Sequence, residues 1–175
     1  VRGLGDDKWA FDAKRYNARP SFFTVKVDAS HTEELVHDLQ LMGKISAQWT
    51  DRPLISNEQF GIGGSNTVRA YRESEAMGDY GLATQLEVRS RPLLAYWPCV
   101  DELRLYGFWV AGFVGIHDPL PGQKGENLLM SAGVGGRLRL FQYLNGAVDV
   151  GTPLISMPGR DAGLVSVRFR IWGEF

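Results

Sequence analysis

The sequence predicts an all-β protein: an antiparallel transmembrane β-barrel, of which this chain supplies about seven strands. Three observations lead there. Apolar and polar residues alternate over most of the chain after residue 20, which is the period-two signature of strands. Several alternating stretches run about 10–15 residues, against the roughly 5–6 usual for strands of soluble domains. The connections are shorter at one end of the strands and longer at the other, as in membrane barrels, whose two rims differ in loop length.

The elements follow in order. Residues 1–20 form a leading segment without alternation. Residues 21–29 set Phe23, Val25 and Val27 against Thr24, Lys26 and Asp28, and a short turn is expected at His31-Thr32. Residues 34–50 set Leu35, Leu39, Leu41, Ile45, Ala47 and Trp49 against Asp38, Gln40, Lys44, Ser46 and Gln48. A helix over Ser30–Met42 is the weaker alternative, because His31-Thr32-Glu33-Glu34 resembles an N-cap followed by acids. A long loop covers 51–79. Residues 80–91 set Leu82, Leu86 and Val88 against Gln85, Glu87 and Arg89, and Pro92–Cys99 makes a shorter turn. Residues 102–116 open with Glu102 and Arg104 and become apolar on both faces.

After the loop His117–Glu126, residues 127–140 set Met130, Ala132, Val134, Leu138 and Leu140 against Ser131, Arg137 and Arg139, with glycines on both faces. A tight turn falls near Gln142. Residues 143–152 set Leu144, Val148 and Val150 against Asn145 and Asp149, and Pro153–Asp161 is the last long loop. The final strand is the clearest: Val165, Val167, Phe169, Ile171 and Phe175 lie on one face, Ser166, Arg168, Arg170, Trp172 and Glu174 on the other. One face is wholly apolar and suits lipid, while the other suits a polar lumen. Tyr96, Trp97, Trp172 and Phe175, near strand ends, suit an interfacial girdle.

Composition narrows the function classes. With 19 Lys and Arg against 20 Asp and Glu, the chain has no basic excess for nucleic acid. One cysteine, Cys99, excludes an intrachain disulfide. No apolar run reaches the roughly 18 residues of a membrane helix. The first residue is Val1 and no signal peptide follows, which points to a processed chain or a fragment.

The loop 51–79 is the most informative segment. A loop longer than about 12–15 residues inside a compact domain is usually functional or disordered, and this one is not low-complexity. Gly63 and Gly64 allow a tight backbone. Its centre, Val68-Arg69-Ala70-Tyr71, sets one guanidinium among apolar and aromatic side chains, as in a loop that packs and places an arginine.

Other chemistry is weak. Gly61-Ile62-Gly63-Gly64-Ser65 lacks the Gly-Lys-Ser/Thr of a phosphate cradle. His31, His37 and His117 lack ligand spacing with one another or with Cys99. His117-Asp118 has no nucleophile context. Glu73, Glu75 and Asp79 lack an EF-type pattern for calcium and read as a solvated charge cluster. No catalytic residue, metal ligand or cofactor site is expected.

Three stretches together resemble the outer-membrane transporters of two-partner secretion, the haemolysin secretion/activation family within the superfamily of the barrel-assembly insertase. The first is Pro53-Leu54-Ile55-Ser56-Asn57-Glu58-Gln59-Phe60-Gly61-Ile62-Gly63-Gly64, then Val68-Arg69-Ala70-Tyr71 and Gly78-Asp79-Tyr80-Gly81. It is similar to the family's lumen-folded V-R-G-Y/F loop. The second is Phe108-Trp109-Val110-Ala111-Gly112, where the family has an F-x-D-x-G strand. The third runs from Ser131-Ala132-Gly133-Val134-Gly135 through Pro153-Leu154 to Phe175, similar to the closing strands.

The resemblance implies that residues 1–175 are the C-terminal part of a barrel, about the last seven strands of sixteen, in the bacterial outer membrane. Family members carry polypeptide-transport-associated (POTRA) domains ahead of the barrel. It implies a pore that exports a large β-rich partner, such as a haemolysin- or adhesin-like protein, with no reaction catalysed. The implied partners are the secreted cargo, outer-membrane lipid and the barrel-assembly machinery. Phe169, Ile171 and Phe175 would form the terminal signal that the machinery reads. Val68, Arg69, Ala70, Tyr71, Gly63 and Gly64 would form the loop that gates the lumen.

Two residues depart from the family pattern. Ala70 stands where the loop motif has glycine, which strains alanine if φ is positive. Val110 stands where the resemblance implies a strand aspartate paired with Arg69; either Arg69 finds another inward acid, with Glu87 and Asp149 as candidates, or the loop sits loosely in the lumen, or this copy is impaired. The alternatives are a barrel-assembly-type insertase of the same fold and a soluble β-sandwich binding module, the latter requiring a dry interior against the apolar face.

Overall fold

The computed structural model describes residues 8–93 and 100–174. After a short helix, α1 (Lys8–Lys14), the chain is strand, turn and loop: β1 (Thr24–Glu34), β2 (Gln40–Thr50), β3 (Phe60–Ile62), β4 (Ala76–Gly78), β5 (Tyr80–Arg89), β6 (Val100–Gly115), β7 (Glu126–Leu140), β8 (Leu144–Pro153) and β9 (Ser166–Gly173). Seven of them form one antiparallel sheet in the order β1-β2-β5-β6-β7-β8-β9, and β3 pairs only with β4. The sheet is a meander that does not close on itself: β1 and β9 are its edges.

Register keeps the two faces distinct across every strand. Val25 opposes Trp49, Leu86 opposes Trp109, and Val148 opposes Phe169. On this face Trp49, Leu82, Leu86, Leu105, Val134, Val148, Val167 and Phe169 are all exposed, Phe169 by 80%. A water-soluble monomer rarely leaves so large an apolar band bare, and a sandwich would have covered it with a second sheet. Lipid is the solvent that suits it. Among the described residues no helix is long and apolar enough to cross a membrane.

The opposite face is inner and polar, and it carries the core. Residues between Leu54 and Asp79 fold back over it: Ile62, Val68, Tyr71 and Ala76 pack with Ala83, Tyr106, Phe108, Val110, Val114 and Leu129. The helix alternative over Ser30–Met42 is not what forms, because β1 and β2 pair in register from Thr24–Thr50 to Glu34–Gln40. The expected turn at His31-Thr32 is likewise displaced. The hairpin turns at 35–39, where Leu35 N–H donates to Leu39 O at 2.7 Å and His37 and Asp38 take φ of 61° and 59°. The positive-φ pair, rather than the polar His-Thr dipeptide, reverses the chain. The short turn at 141–143 is built the same way, with Phe141 and Gln142 at positive φ.

Trp172 is a second correction. It lies on the inner face, under the Arg170 guanidinium at 4.6 Å, so it contributes to the polar wall rather than to a lipid-facing girdle. Tyr96, Trp97, Cys99 and Phe175 lie outside the described residues.

Candidate functional site

The tip of the 51–79 segment presents Arg69 to the inner face. Two glycines with positive φ, Gly63 at 107° and Gly64 at 102°, start the excursion. At Gly63 a Cβ would collide with the Arg72 carbonyl and the Glu75 backbone nitrogen, so only glycine fits the approach. Thr67 Oγ1 donates to Gly63 O and accepts from Gly63 N–H, both at 2.9 Å. Ser65 N–H donates to Glu73 Oε1, and Arg72 N–H to Glu75 Oε2. Glu73 and Glu75 therefore tie the loop to itself.

Docking is both apolar and polar. Val68 and Tyr71 are fully buried. The Tyr71 hydroxyl lies 2.9 Å from Met130 O and 2.7 Å from Ile155 O. Ser131 Oγ on β7 donates to Arg69 O, and Gln85 on β5 donates to Asn66 O. Arg160 donates to Ala70 O, and Arg168 of β9 to Tyr71 O. The loop is thus tied to β5, β7, β9 and the β8–β9 connection. Ala70 takes φ of 69°, in the left-handed region that disfavours a Cβ.

The Arg69 guanidinium lies over Phe108, 4.5 Å from its centroid, and 5.6 Å from that of Tyr106. Its Nη2 donates to Glu87 Oε2 at 2.6 Å, and its Nη1 reaches Asp149 Oδ1 at 3.3 Å. Both Arg69 and Glu87 are buried, with side chains 7% and 1% exposed. Glu87 also accepts from Arg89 Nε at 2.6 Å and lies 3.3 Å from Arg137 Nη2. A buried arginine is tolerable only when paired, and here β5 supplies the carboxylate. Val110 is fully buried between Gln85 and Ser131 on the neighbouring strands.

Asp79, read from sequence as part of a solvated cluster, is fully buried instead. Its carboxylate accepts from Leu54 N–H at 2.9 Å, His117 N–H at 2.7 Å, Gln59 Nε2 at 3.2 Å and both terminal nitrogens of Arg15. It gathers the loop entrance, the residue after α1 and the end of β6 into one knot. Its only signal in the sequence was its place in Gly78-Asp79-Tyr80-Gly81. His117 belongs to the same region: its Nε2 is 3.1 Å from Thr50 O. Among the described residues no group of three His, Cys, Asp or Glu could hold a metal ion.

A comparison with protein-family models matches residues 5–138 to the haemolysin secretion/activation protein family ShlB/FhaC/HecB. The match spans Arg69, Glu87 and Asp79, most of the sheet and the whole docked loop. The chain belongs to the haemolysin secretion/activation protein family. It is therefore an outer-membrane protein of two-partner secretion. A comparison with curated proteins returns no match. Within this family, the inner face of the sheet is the lumen wall and the apolar face is the one that meets lipid. Phe169 and Ile171 project from the lipid side of β9, 80% and 69% exposed.

Proposed function

We propose that the chain forms the C-terminal part of an outer-membrane pore that exports a large β-rich partner, haemolysin- or adhesin-like, and that residues 51–79 plug or steer its lumen. No reaction is catalysed in this reading. The passage supplies polar contacts to an unfolded chain, and folding of the cargo outside supplies the driving force. The observation that carries the reading is the Arg69–Glu87 pair. It fastens the tip of a long connection to the lumen wall, where a passing polypeptide would have to displace it. Val68, Ala70 and Tyr71 hold the tip, and Gly63 and Gly64 let it turn. The Leu54–Gly64 stretch supports export over templated insertion of other barrels, the alternative that the resemblance leaves open.

Assembly machinery that reads a terminal aromatic strand, here Phe169, Ile171 and Phe175, would deliver the chain to the membrane. The test is Arg69→Ala in a full-length version of the protein, expressed with a candidate exported partner. Insertion into the outer membrane is retained, while secretion or single-channel conductance changes. Wild-type values for both would remove the gating role.

A further inference from the structure

The inner face carries a second charged feature, at the short-turn end of the sheet. Strand register sorts side chains into rows across the strands. One row runs Arg104 on β6, Arg137 on β7, Ala147 on β8 and Arg170 on β9. It contains three guanidiniums and no carboxylate. The row on one side holds Glu102, Arg139, Asn145 and Trp172. The row on the other holds Arg89, Tyr106, Gly135, Asp149 and Arg168. These rows hold six arginines and two carboxylates; Glu87 beside them reaches Arg89 and Arg137, and Glu73 of the loop reaches Arg168, so arginine is still in excess in a chain whose formal net charge is −1. The excess is a local segregation and not a reflection of composition.

The local acids are already engaged. Glu102 accepts from Arg104 Nε, and Asp149 accepts from the Tyr106 hydroxyl at 2.8 Å and from Arg69 at 3.3 Å. Arg104 and Arg137 stand directly opposite each other, like charges whose repulsion costs stability and which Glu102, on Arg104, and Glu87, 3.3 Å from Arg137, relieve only in part. Arg139 donates to the Gln142 carbonyl, and Arg170 lies over Trp172. Neither pairs with a carboxylate among the described residues. Two buried donors on this wall, Arg137 Nε and Asn145 Nδ2, have no acceptor among the described residues. A concavity of about 330 Å³ runs along it, bounded by four arginines, Arg89, Arg104, Arg137 and Arg139, and by one carboxylate, Glu102.

We propose that this wall is a binding track for acidic polypeptide segments, engaging their carboxylate side chains with Arg104, Arg137, Arg139 and Arg170. Guanidinium matches carboxylate as a planar bidentate pair. Neighbouring strands lie about 4.8 Å apart, and same-face side chains of an extended peptide repeat at roughly 6.8 Å, so several carboxylates of one segment can engage neighbouring arginines together. The wall opens to water, where single ion pairs are weak, which suits a chain that must let go. The face rules out lipid phosphate as the occupant, since these arginines project opposite the apolar band. The export reading supplies the source of the acidic segment; binding itself stands without it.

The test uses the full chain refolded in uncharged detergent, with fluorescein-labelled deca-glutamate as probe and deca-lysine as control, read by fluorescence anisotropy. The expected result is glutamate binding at least tenfold tighter than lysine binding, weakening as salt is raised. Arg104→Gln with Arg170→Gln, checked for unchanged heat-modifiability, lowers the affinity at least tenfold. No glutamate binding, equal binding of the two peptides, or full affinity in the double variant overturns the proposal. Export is read separately, by secretion. A protein that binds deca-glutamate but secretes nothing counts against the export reading alone.

Discussion

Arg69 and Glu87 meet at 2.6 Å, with the carboxylate coming from β5, although the family's strand motif would place it at Val110 on β6. The carboxylate that meets Arg69 stands one strand away from position 110. Glu87 lies directly across from Phe108 in the ladder and Val110 across from Gln85, so the acid stays within reach of the same loop tip.

Glu87→Gln keeps the shape of the side chain and removes the charge that Arg69, Arg89 and Arg137 share. Breaking a buried pair costs about 3–5 kcal/mol. We expect a lower unfolding midpoint for the refolded chain and faster proteolysis within 51–79. Adding Val110→Asp to that variant recovers part of the loss. A double-mutant cycle measures the coupling, and a recovery of zero would place position 110 out of reach of Arg69.

Ala70→Gly relieves a left-handed alanine at φ 69°. Left-handed backbone costs a residue with a Cβ about 1–2 kcal/mol, so glycine raises stability by roughly 1 kcal/mol after its larger unfolded-state entropy is counted. Denaturant titration of the two proteins side by side resolves a shift of this size. Ala70→Val moves the midpoint the opposite way.

Asp79→Asn leaves the loop base without its charge while keeping the side chain's size. The carboxylate takes four sets of donors, and hydrogen bonds to charged groups contribute about 1.5–3 kcal/mol. A loss of about 3 kcal/mol is expected. Arg15→Ala costs at least as much, because it leaves the fully buried Asp79 carboxylate without its cation. Hydrogen exchange at Leu54 and His117 rises in the Asp79 variant, and unchanged exchange there would contradict the knot.

Val148→Arg tests the membrane face. Val148 sits on β8 opposite Phe169, in the middle of the apolar band. Arginine facing lipid at the bilayer midplane costs about 2–4 kcal/mol. The yield of folded protein in lipid vesicles falls, whereas Ala147→Ser, on the inner side of the same strand, leaves it nearly unchanged. Equal yields from both variants would mean that lipid does not wet this face.

Much of this was legible in the order of residues. Strict alternation places Leu86 and Glu87, or Phe169 and Arg170, on opposite faces whatever the rest of the chain does, because successive strand side chains point apart. Glu87 and Asp149 were candidate partners of Arg69 because both fall on the inward, polar side of their strands, and the resemblance left Arg69 without its usual aspartate. The first hairpin was misplaced by several residues, since the positive φ of His37 and Asp38 leaves no compositional mark comparable to Asn-Gly. Asp79 was read as solvated because burial depends on what folds over a residue, and neither Arg15 nor His117 is near it in sequence.

The sequence by itself determined which faces are greasy and which polar, the number of ladder strands, and that a long glycine-bearing loop carries a single arginine at its centre. These are local properties of a period-two chain. Only the tertiary structure decided that Glu87 rather than position 110 holds that arginine, that Asp79 ties the loop at its base, and that Arg104, Arg137 and Arg170 fall in one row. Those outcomes depend on strand register and on how the loop folds back, which bring together side chains far apart in the chain.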